Sequence, residues 1–284
     1  MQQEFLIGLI GAGIQASLTP AMHMREAEML GFRHVYRLID LTELQLGPDD
    51  LPALLTAAEQ MGFNGLNITH PCKQTVLSLL HELSDDARAI GAVNTVVLRD
   101  GKRIGHNTDA SGFAAAFRRG LPDVSTSHVM QCGAGGAGSA VAHAILGLGA
   151  GRLTLVDTDA GKSEPLAASL CARFGPGRAR VGGLDDAAGA DGVINATPLG
   201  MAKYPGQAIE TDQLRPSQWV ADIVYFPLET ALLKSAKAKG CRILNGGGMA
   251  VFQAVEAFRL FTGHHPSAER MLAHFGDLTR PANG

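Results

Sequence analysis

Short apolar runs alternate with stretches in which apolar residues recur every third or fourth position, and this rhythm continues almost to the end of the chain. Runs of the first kind predict buried strands, those of the second helices. Phe5-Leu6-Ile7-Gly8-Leu9-Ile10 reads as a buried strand. Thr19-Pro20 then opens a helix over 19–30, with proline in the first turn, where its missing N–H removes no bond. Further strands are expected at 35–39, 65–69 and 92–98, with helices at 51–61 and 73–80. Pro71 stops the third strand, and Asp100-Gly101 marks a hairpin turn into 103–105.

From about residue 127 the pattern restarts, with strands near 128–132, 152–156, 192–195, 219–223 and 241–244. Repeated strand–helix alternation specifies parallel sheets covered by helices. The chain crosses between the two series near 108–117, and a long helix over 249–261 carries it back to the first. The expected fold class is therefore α/β with two domains. The first is discontinuous (1–107 with 248–284) and encloses a doubly wound, Rossmann-type domain over 108–247.

The restart carries the most specific signal. Gly133-Ala134-Gly135-Gly136-Ala137-Gly138 lies between the run Val129-Met130-Gln131-Cys132 and an alanine-rich helix. Gly133 permits a tight turn, Gly135 lets the backbone approach a pyrophosphate, and Gly138 lets the helix pack closely. The pyrophosphate then meets backbone N–H groups at the positive end of the helix dipole. A second apolar run ends on Asp157, about 20 positions after the last glycine, where an acid takes ribose hydroxyls. Strand, glycine turn, helix, strand and acid together predict a bound dinucleotide. Gly11-Ala12-Gly13 also follows a strand, but its helix starts only at Pro20 and its acid, Asp40, comes late. A loop shaped for another ligand fits it better.

Composition narrows the class. With 284 residues, 46% hydrophobic, 18% charged and a net charge of −3, the chain has the profile of a soluble enzyme and no basic run for nucleic acid. Cys72, Cys132, Cys171 and Cys241 form no CxxC pair, so neither a zinc site nor a disulfide framework is expected, in keeping with a reducing cytoplasm. Dispersed histidines and cysteines predict no metal. The first ten residues lack a signal peptide's basic flank, and no apolar run spans a bilayer.

Polar residues that are costly to bury gather at strand ends in the first half: Asn67, Thr69, Asn94, Thr95, Asn107 and Thr108. Such neutral donors and acceptors suit a polyhydroxylated small molecule beyond the strand ends, although any one of them alone also reads as a cap or turn. The same holds for Ser17 and Thr19 before Pro20. Lys73 and Asp109 are the candidate proton-transfer pair, a lysine whose proton is exchanged with an alcohol and a carboxylate that orients it. Taken singly, each also reads as a surface ion-pair residue.

These blocks together resemble the shikimate/quinate dehydrogenase family. The matching stretches are Ser17-Leu18-Thr19-Pro20, Asn67 to Lys73, Gly91 to Thr95, Gly105 to Asp109, the glycine loop, Asn195-Ala196-Thr197-Pro198-Leu199-Gly200-Met201, and Gly246 to Met249 with Gln253. The resemblance implies a catalytic Lys73–Asp109 pair and substrate contacts from Ser17, Thr19, Thr69, Asn94, Tyr225 and Gln253. It further implies a cofactor site from Gly133, Ala134, Gly135, Gly136, Ala137 and Asp157, with Asn195, Thr197 and Pro198 against the cofactor and Gly248 near the nicotinamide. On the residues alone, Tyr225 reads equally well as a core aromatic at a strand end.

The departures refine the expectation. Biosynthetic family members that use the phosphorylated cofactor usually carry an Asn-Arg-Thr turn after the second nucleotide strand, whereas this chain has Val156-Asp157-Thr158-Asp159. NAD is therefore favoured over NADP. Thr19, in place of a second serine, is similar to the NAD enzymes that use quinate as well as shikimate. Asn245 stands where an aspartate is common, and His70 where an apolar residue is common. The implied activity is an NAD-dependent interconversion of shikimate and 3-dehydroshikimate, with quinate and 3-dehydroquinate as a second pair. An aminoshikimate-type paralogue and an inactive NAD-sensing regulator are the alternatives. The implied partners are small molecules, with no nucleic acid and no membrane; a homodimer stays open.

Overall fold

The computed structural model describes residues 3–280, which adopt the α/β class expected from the strand–helix rhythm. The chain divides into two compact units, one formed by the residues up to Thr108 with those from Val251 on, the other by Asp109–Ala250.

The first unit begins with β1 (Glu4–Gly11), α1 (Thr19–Met29), β2 (Arg33–Asp40), α2 (Leu51–Gln60) and β3 (Gly65–Ile68). It continues through β4 (Glu82–Leu83), α3 (Asp85–Ile90), β5 (Thr95–Arg99) and β6 (Lys102–His106). Its six-stranded sheet has the order β2-β1-β3-β5-β6-β4. The sheet is mixed rather than parallel. Asp100 and Gly101 both have positive φ (53° and 72°), so the tight hairpin they form makes β5 and β6 antiparallel, and β5 also runs antiparallel to β3. The helix expected over 73–80 is instead a 3-10 turn over Thr75–Leu79. β-Branched Thr75 and Val76 and the short path to β4 favour i→i+3 closure there. The strand expected over 92–98 begins only at Thr95.

Two further segments complete this unit: α8 (residues 247–262, from Val251 on) and α9 (Ala268–Thr279); α4 (Thr108–Gly120) leads out of it. One sheet face packs Ile10, Leu66, Ile68 and Val96 against Leu51, Leu55 and Ala58 of α2. The other packs Ile7, Leu9 and Val97 against Ala257 and Phe261 of α8. A side chain at Gly65 would run into the Phe261 ring, so glycine here permits the close approach of helix to sheet. Beside this core lies a buried aromatic group. His34 stacks on Phe258 with ring centroids 5.5 Å apart, and His23 packs on Phe258 at the same separation. Burial lowers the His34 pKa from 6.5 to about 4. Burial, with the neighbouring His34, also holds His23 well below its ordinary value, against the opposing pull of the Ala254 backbone carbonyl.

The second unit contains β7 (His128–Cys132), α5 (Gly136–Gly147), β8 (Arg152–Val156), α6 (Ala160–Phe174) and β9 (Ala179–Val181). It continues with β10 (Gly192–Asn195), β11 (Trp219–Asp222), α7 (Ala231–Ala238) and β12 (Arg242–Leu244). The sheet is parallel throughout, in the order β12-β11-β10-β7-β8-β9. The strand order therefore reverses at β7 and β10, which is where an open α/β sheet forms its ligand crevice. In this unit β9 escapes the strand pattern read from sequence, because it is short and alternates Arg178 and Arg180 with apolar neighbours. Trp219 fills the space over Gly192, packs edge-on to Phe117 at 4.9 Å and donates to the Ser125 carbonyl. No helix among the described residues is long and apolar enough to cross a membrane.

Candidate active site

In the first unit the sheet register brings the sequence-predicted polar residues to one edge. β1 and β3 end there in parallel, and antiparallel β5 begins there, with Asn67 opposite Thr95. A row of hydrogen bonds follows. The Tyr36 hydroxyl donates to Asn67 Oδ1 (2.7 Å), and Asn67 Nδ2 donates to Thr95 Oγ1 (3.1 Å). Thr95 donates to Asn94 Oδ1 (3.0 Å), and Asn94 Nδ2 donates to Thr108 Oγ1 (2.9 Å). Gln253 on α8 lies 3.5 Å from Thr108 Oγ1. Buried amides in a low-dielectric setting need such partners, and the row fixes which end of each amide faces which neighbour.

Thr69 and Lys73 bracket the turn after β3. Thr69 N donates to the Ile10 carbonyl, and the Lys73 carbonyl accepts from Val93 N at 2.9 Å, one residue before Asn94. Both side chains are part-exposed. Ser17 and Thr19 lie on the segment between β1 and α1, also part-exposed. The capping role open to them from sequence is weak: α1 has no side-chain cap, and Ser17 Oγ accepts from Thr19 N only at 3.4 Å. Their hydroxyls are thus not committed to the helix terminus.

In the second unit the glycine loop has the geometry its sequence predicts. Gly133 has φ 98°, and a Cβ there would lie 2.6 Å from the Ala196 carbonyl oxygen. A side chain at Gly138 would strike the Gly133 carbonyl, so helix and turn meet backbone to backbone. Gly135 is the N-cap of α5 and offers no side-chain cap, and a Cβ there would meet nothing within 4 Å. The helix terminus therefore presents N–H groups to open space, which is a cradle of the kind that takes a phosphate. Asp157 closes one side: its carboxylate accepts from Ala134 N (2.7 Å) and Asp159 N (2.9 Å). Each carboxylate oxygen retains a lone pair for a further donor. The residues present fit a dinucleotide.

Asn195, at the end of β10, is 1% exposed and bonds to its own loop and to β11. It accepts from Thr197 N and Oγ1 and donates to the Leu199 carbonyl and to Asp222. Its side chain thereby shapes the loop that holds Thr197 and Pro198. Gly248 faces α4, where a Cβ would come 3.0 Å from that of Ala116. Asn245 caps the start of α8 by accepting from Gly247 N (3.1 Å). Tyr225 is not a core aromatic: it follows the end of β11 and is 40% exposed. Burial of its hydroxyl and the Asp109 carboxylate both raise its pKa. Asp109 itself is buried in the first turn of α4.

Three residues with structural duties here were missed in the sequence reading. Gln131 Nε2 donates to the carbonyls of both Gly133 and Gly138 at 2.8 Å and so ties the two ends of the glycine loop together. Its signal was a lone amide in an apolar run just before the turn. Asp222 accepts from Asn195, Val224 N and Thr230 and so sets the approach to Tyr225; burial raises its pKa despite these bonds. Asp40, set aside above as a late acid, binds the loop after β1.

Residues 9–96 match the family model described as the shikimate dehydrogenase substrate binding domain, and 246–274 match the shikimate 5'-dehydrogenase C-terminal domain. The chain is 54% identical, over 99% of its length and 98% of the relative's, to a shikimate dehydrogenase (NADP(+)) of Streptomyces avermitilis. It is 50% identical, over 97% of its length and 99% of the relative's, to a quinate/shikimate dehydrogenase (NAD(+)) of Corynebacterium efficiens. Among solved structures, quinate dehydrogenase from Corynebacterium glutamicum in complex with NAD matches with a TM-score of 0.91 and 47% identity, covering 97% of this chain and 100% of that one.

Proposed function

The chain belongs to the shikimate dehydrogenase family, and from that premise we propose that it is an NAD-dependent dehydrogenase interconverting shikimate and 3-dehydroshikimate, and quinate and 3-dehydroquinate. The observation that carries the reading is the hydrogen-bonded row ending on Asn94 and Thr108, next to the turn that bears Lys73. A hydroxylated six-membered-ring acid needs neutral donors and acceptors for its hydroxyls and a group that exchanges one hydroxyl proton. In this reading Lys73 and Asp109 are the catalytic pair. Lys73 takes the proton of the reacting hydroxyl in one direction and returns it in the other, and Asp109 orients the amine. Ser17 and Thr19 hold the substrate carboxylate, while Thr69, Asn94, Tyr225 and Gln253 hold ring hydroxyls.

The residues that would hold the cofactor are Gly133, Ala134, Gly135, Gly136 and Ala137 at the pyrophosphate and Asp157 at the ribose. Asn195, Thr197 and Pro198 supply one wall, with Gly248 towards the ring. Bound there, the nicotinamide supplies the hydride acceptor. Relatives divide between NAD and NADP by name, so the choice rests on Asp157. Its carboxylate would accept ribose hydroxyl protons and repel a 2′-phosphate, and Lys162, across the turn, is already paired with Asp159 at 3.3 Å. Thr19 supports the inclusion of quinate through the resemblance already described.

The test is a panel of shikimate, quinate and aminoshikimate crossed with both cofactors. Charge-assisted hydrogen bonds of roughly 1.5–3 kcal/mol set the expected margin, a kcat/KM about 10- to 100-fold higher with NAD than with NADP. Equal efficiency with NADP would remove Asp157 from cofactor choice. Turnover of aminoshikimate alone would assign the paralogue, and no turnover at all would leave a sensing role.

A further inference from the structure

The glycine-containing loop after β1 is the one sequence motif that the proposed function does not use. The structure gives its backbone N–H groups an internal anion. Asp40, the last residue of β2, lies level with Gly11 in the β1–β2 register and is 3% exposed. Its Oδ1 accepts from Gly13 N (2.8 Å) and Thr42 N (3.0 Å). Its Oδ2 accepts from Ile14 N and from Gln15 Nε2, both at 2.9 Å. Burial opposes the charged form, but the bonds from Gln15, Gly13, Ile14 and Thr42 together outweigh it and hold the carboxyl below its usual range. Gly13 has φ 65°, which turns the successive N–H groups of Gly13 and Ile14 to one side as an anion nest. That nest is filled by the protein's own carboxylate. No phosphate is needed to complete it.

The consequence runs along the chain to Ser17. The Ile14 side chain is buried, and its carbonyl accepts from Ser17 N at 2.9 Å. On the other side Ala12 N donates to the His70 carbonyl at 3.0 Å, and Gly11 leaves no room for a side chain beside the Thr69 methyl. One carboxylate thus fixes the segment that carries Ser17 and leads to Thr19, and seats it against the turn that carries Thr69. We propose that Asp40 is a positioning residue for the acid substrate: it sets where the Ser17 and Thr19 hydroxyls stand, and so governs binding of the substrate carboxylate rather than the proton-transfer step. The inference rests on the reading that Ser17 and Thr19 hold that carboxylate.

Asp40→Asn tests it. An amide offers one acceptor oxygen where four donors converge, so two of them would face an NH₂ group. KM for shikimate, and its Kd measured by calorimetry without turnover, should rise about 10-fold or more, while kcat stays within about threefold and the Kd for NAD is unchanged. A merely structural role would lower thermal stability without this split. Gly13→Val is the second variant. Gly13 is exposed, with nothing within 4 Å of an added Cβ, but valine resists a positive φ and would draw the two N–H groups off Asp40. It should raise the shikimate KM in the same way, and it decides the matter if Asp40→Asn does not fold. Unchanged shikimate KM in Gly13→Val and in any folded Asp40→Asn, or a fall in kcat alone, would overturn the proposal. A wild-type protein that neither binds nor turns over shikimate or quinate would instead overturn the underlying functional reading.

Discussion

Lys73→Ala is expected to lower turnover by about 10²- to 10⁴-fold, the usual contribution of a positioned acid–base group. The truncation should act on turnover rather than on cofactor binding. The Lys73 carbonyl accepts from Val93 N, and alanine keeps that bond. The glycine loop and Asp157 belong to the other unit, so the affinity for NAD should be unaltered. Lys73→Arg should not restore activity, because a guanidinium does not release its proton near neutral pH. Stopped-flow turnover with a parallel NAD titration checks both points. A near-normal kcat in the alanine variant would exclude Lys73 from proton transfer.

The second large effect concerns stability in acid. His34 has a folded-state pKa of about 4 against an ordinary value of 6.5. The folded state therefore binds fewer protons than the unfolded one between those values. Above pH 6.5 the stabilisation is complete; it is lost as pH falls, and below about 4 no further loss comes from this group. For His34 the loss amounts to about 3 kcal/mol by pH 4. His23, shifted the same way, adds to the slope. Urea midpoints between pH 7.5 and pH 4 measure it. His34→Phe, an apolar ring in the same stack on Phe258, should flatten part of that slope. A wild-type protein as resistant to urea at pH 4.5 as at pH 7.5 would contradict the burial argument.

The sequence made the parallel unit more legible than the mixed one. β7, α5 and β8 follow directly from an apolar run, a glycine turn and a second run that ends on an acid, all within one contiguous stretch. Local chemistry decides such a unit. In the first unit, the turn after Pro71 and the start of β5 depend on what the chain must reach, and periodicity carries no such information. Site residues divide in the same way. Asn67, Thr69 and Asn94 stood out because a polar group in an apolar run must find a partner. Asp40 did not, because its backbone donors Gly13 and Ile14 lie 27 and 26 positions earlier in the chain, and only strand pairing makes them its neighbours. Asn195 was legible as a position but not as a duty, since its bonds to Asp222 and Leu199 appear only with the fold.

The packing of Phe261 over Gly65 has a bearing on how the protein is made. Strands of the first unit receive part of their cover from a helix translated only after the whole of the second unit. At about 5–20 residues per second, the segment between Thr108 and Val251 takes roughly 7–30 s to synthesise. Throughout that interval Ile7, Leu9 and Val97 lack the part of their cover that Ala257 and Phe261 supply, and the second unit is complete before that cover arrives. The core of the first unit is thus expected to be completed after that of the unit made later, which leaves its sheet the longer exposed during synthesis.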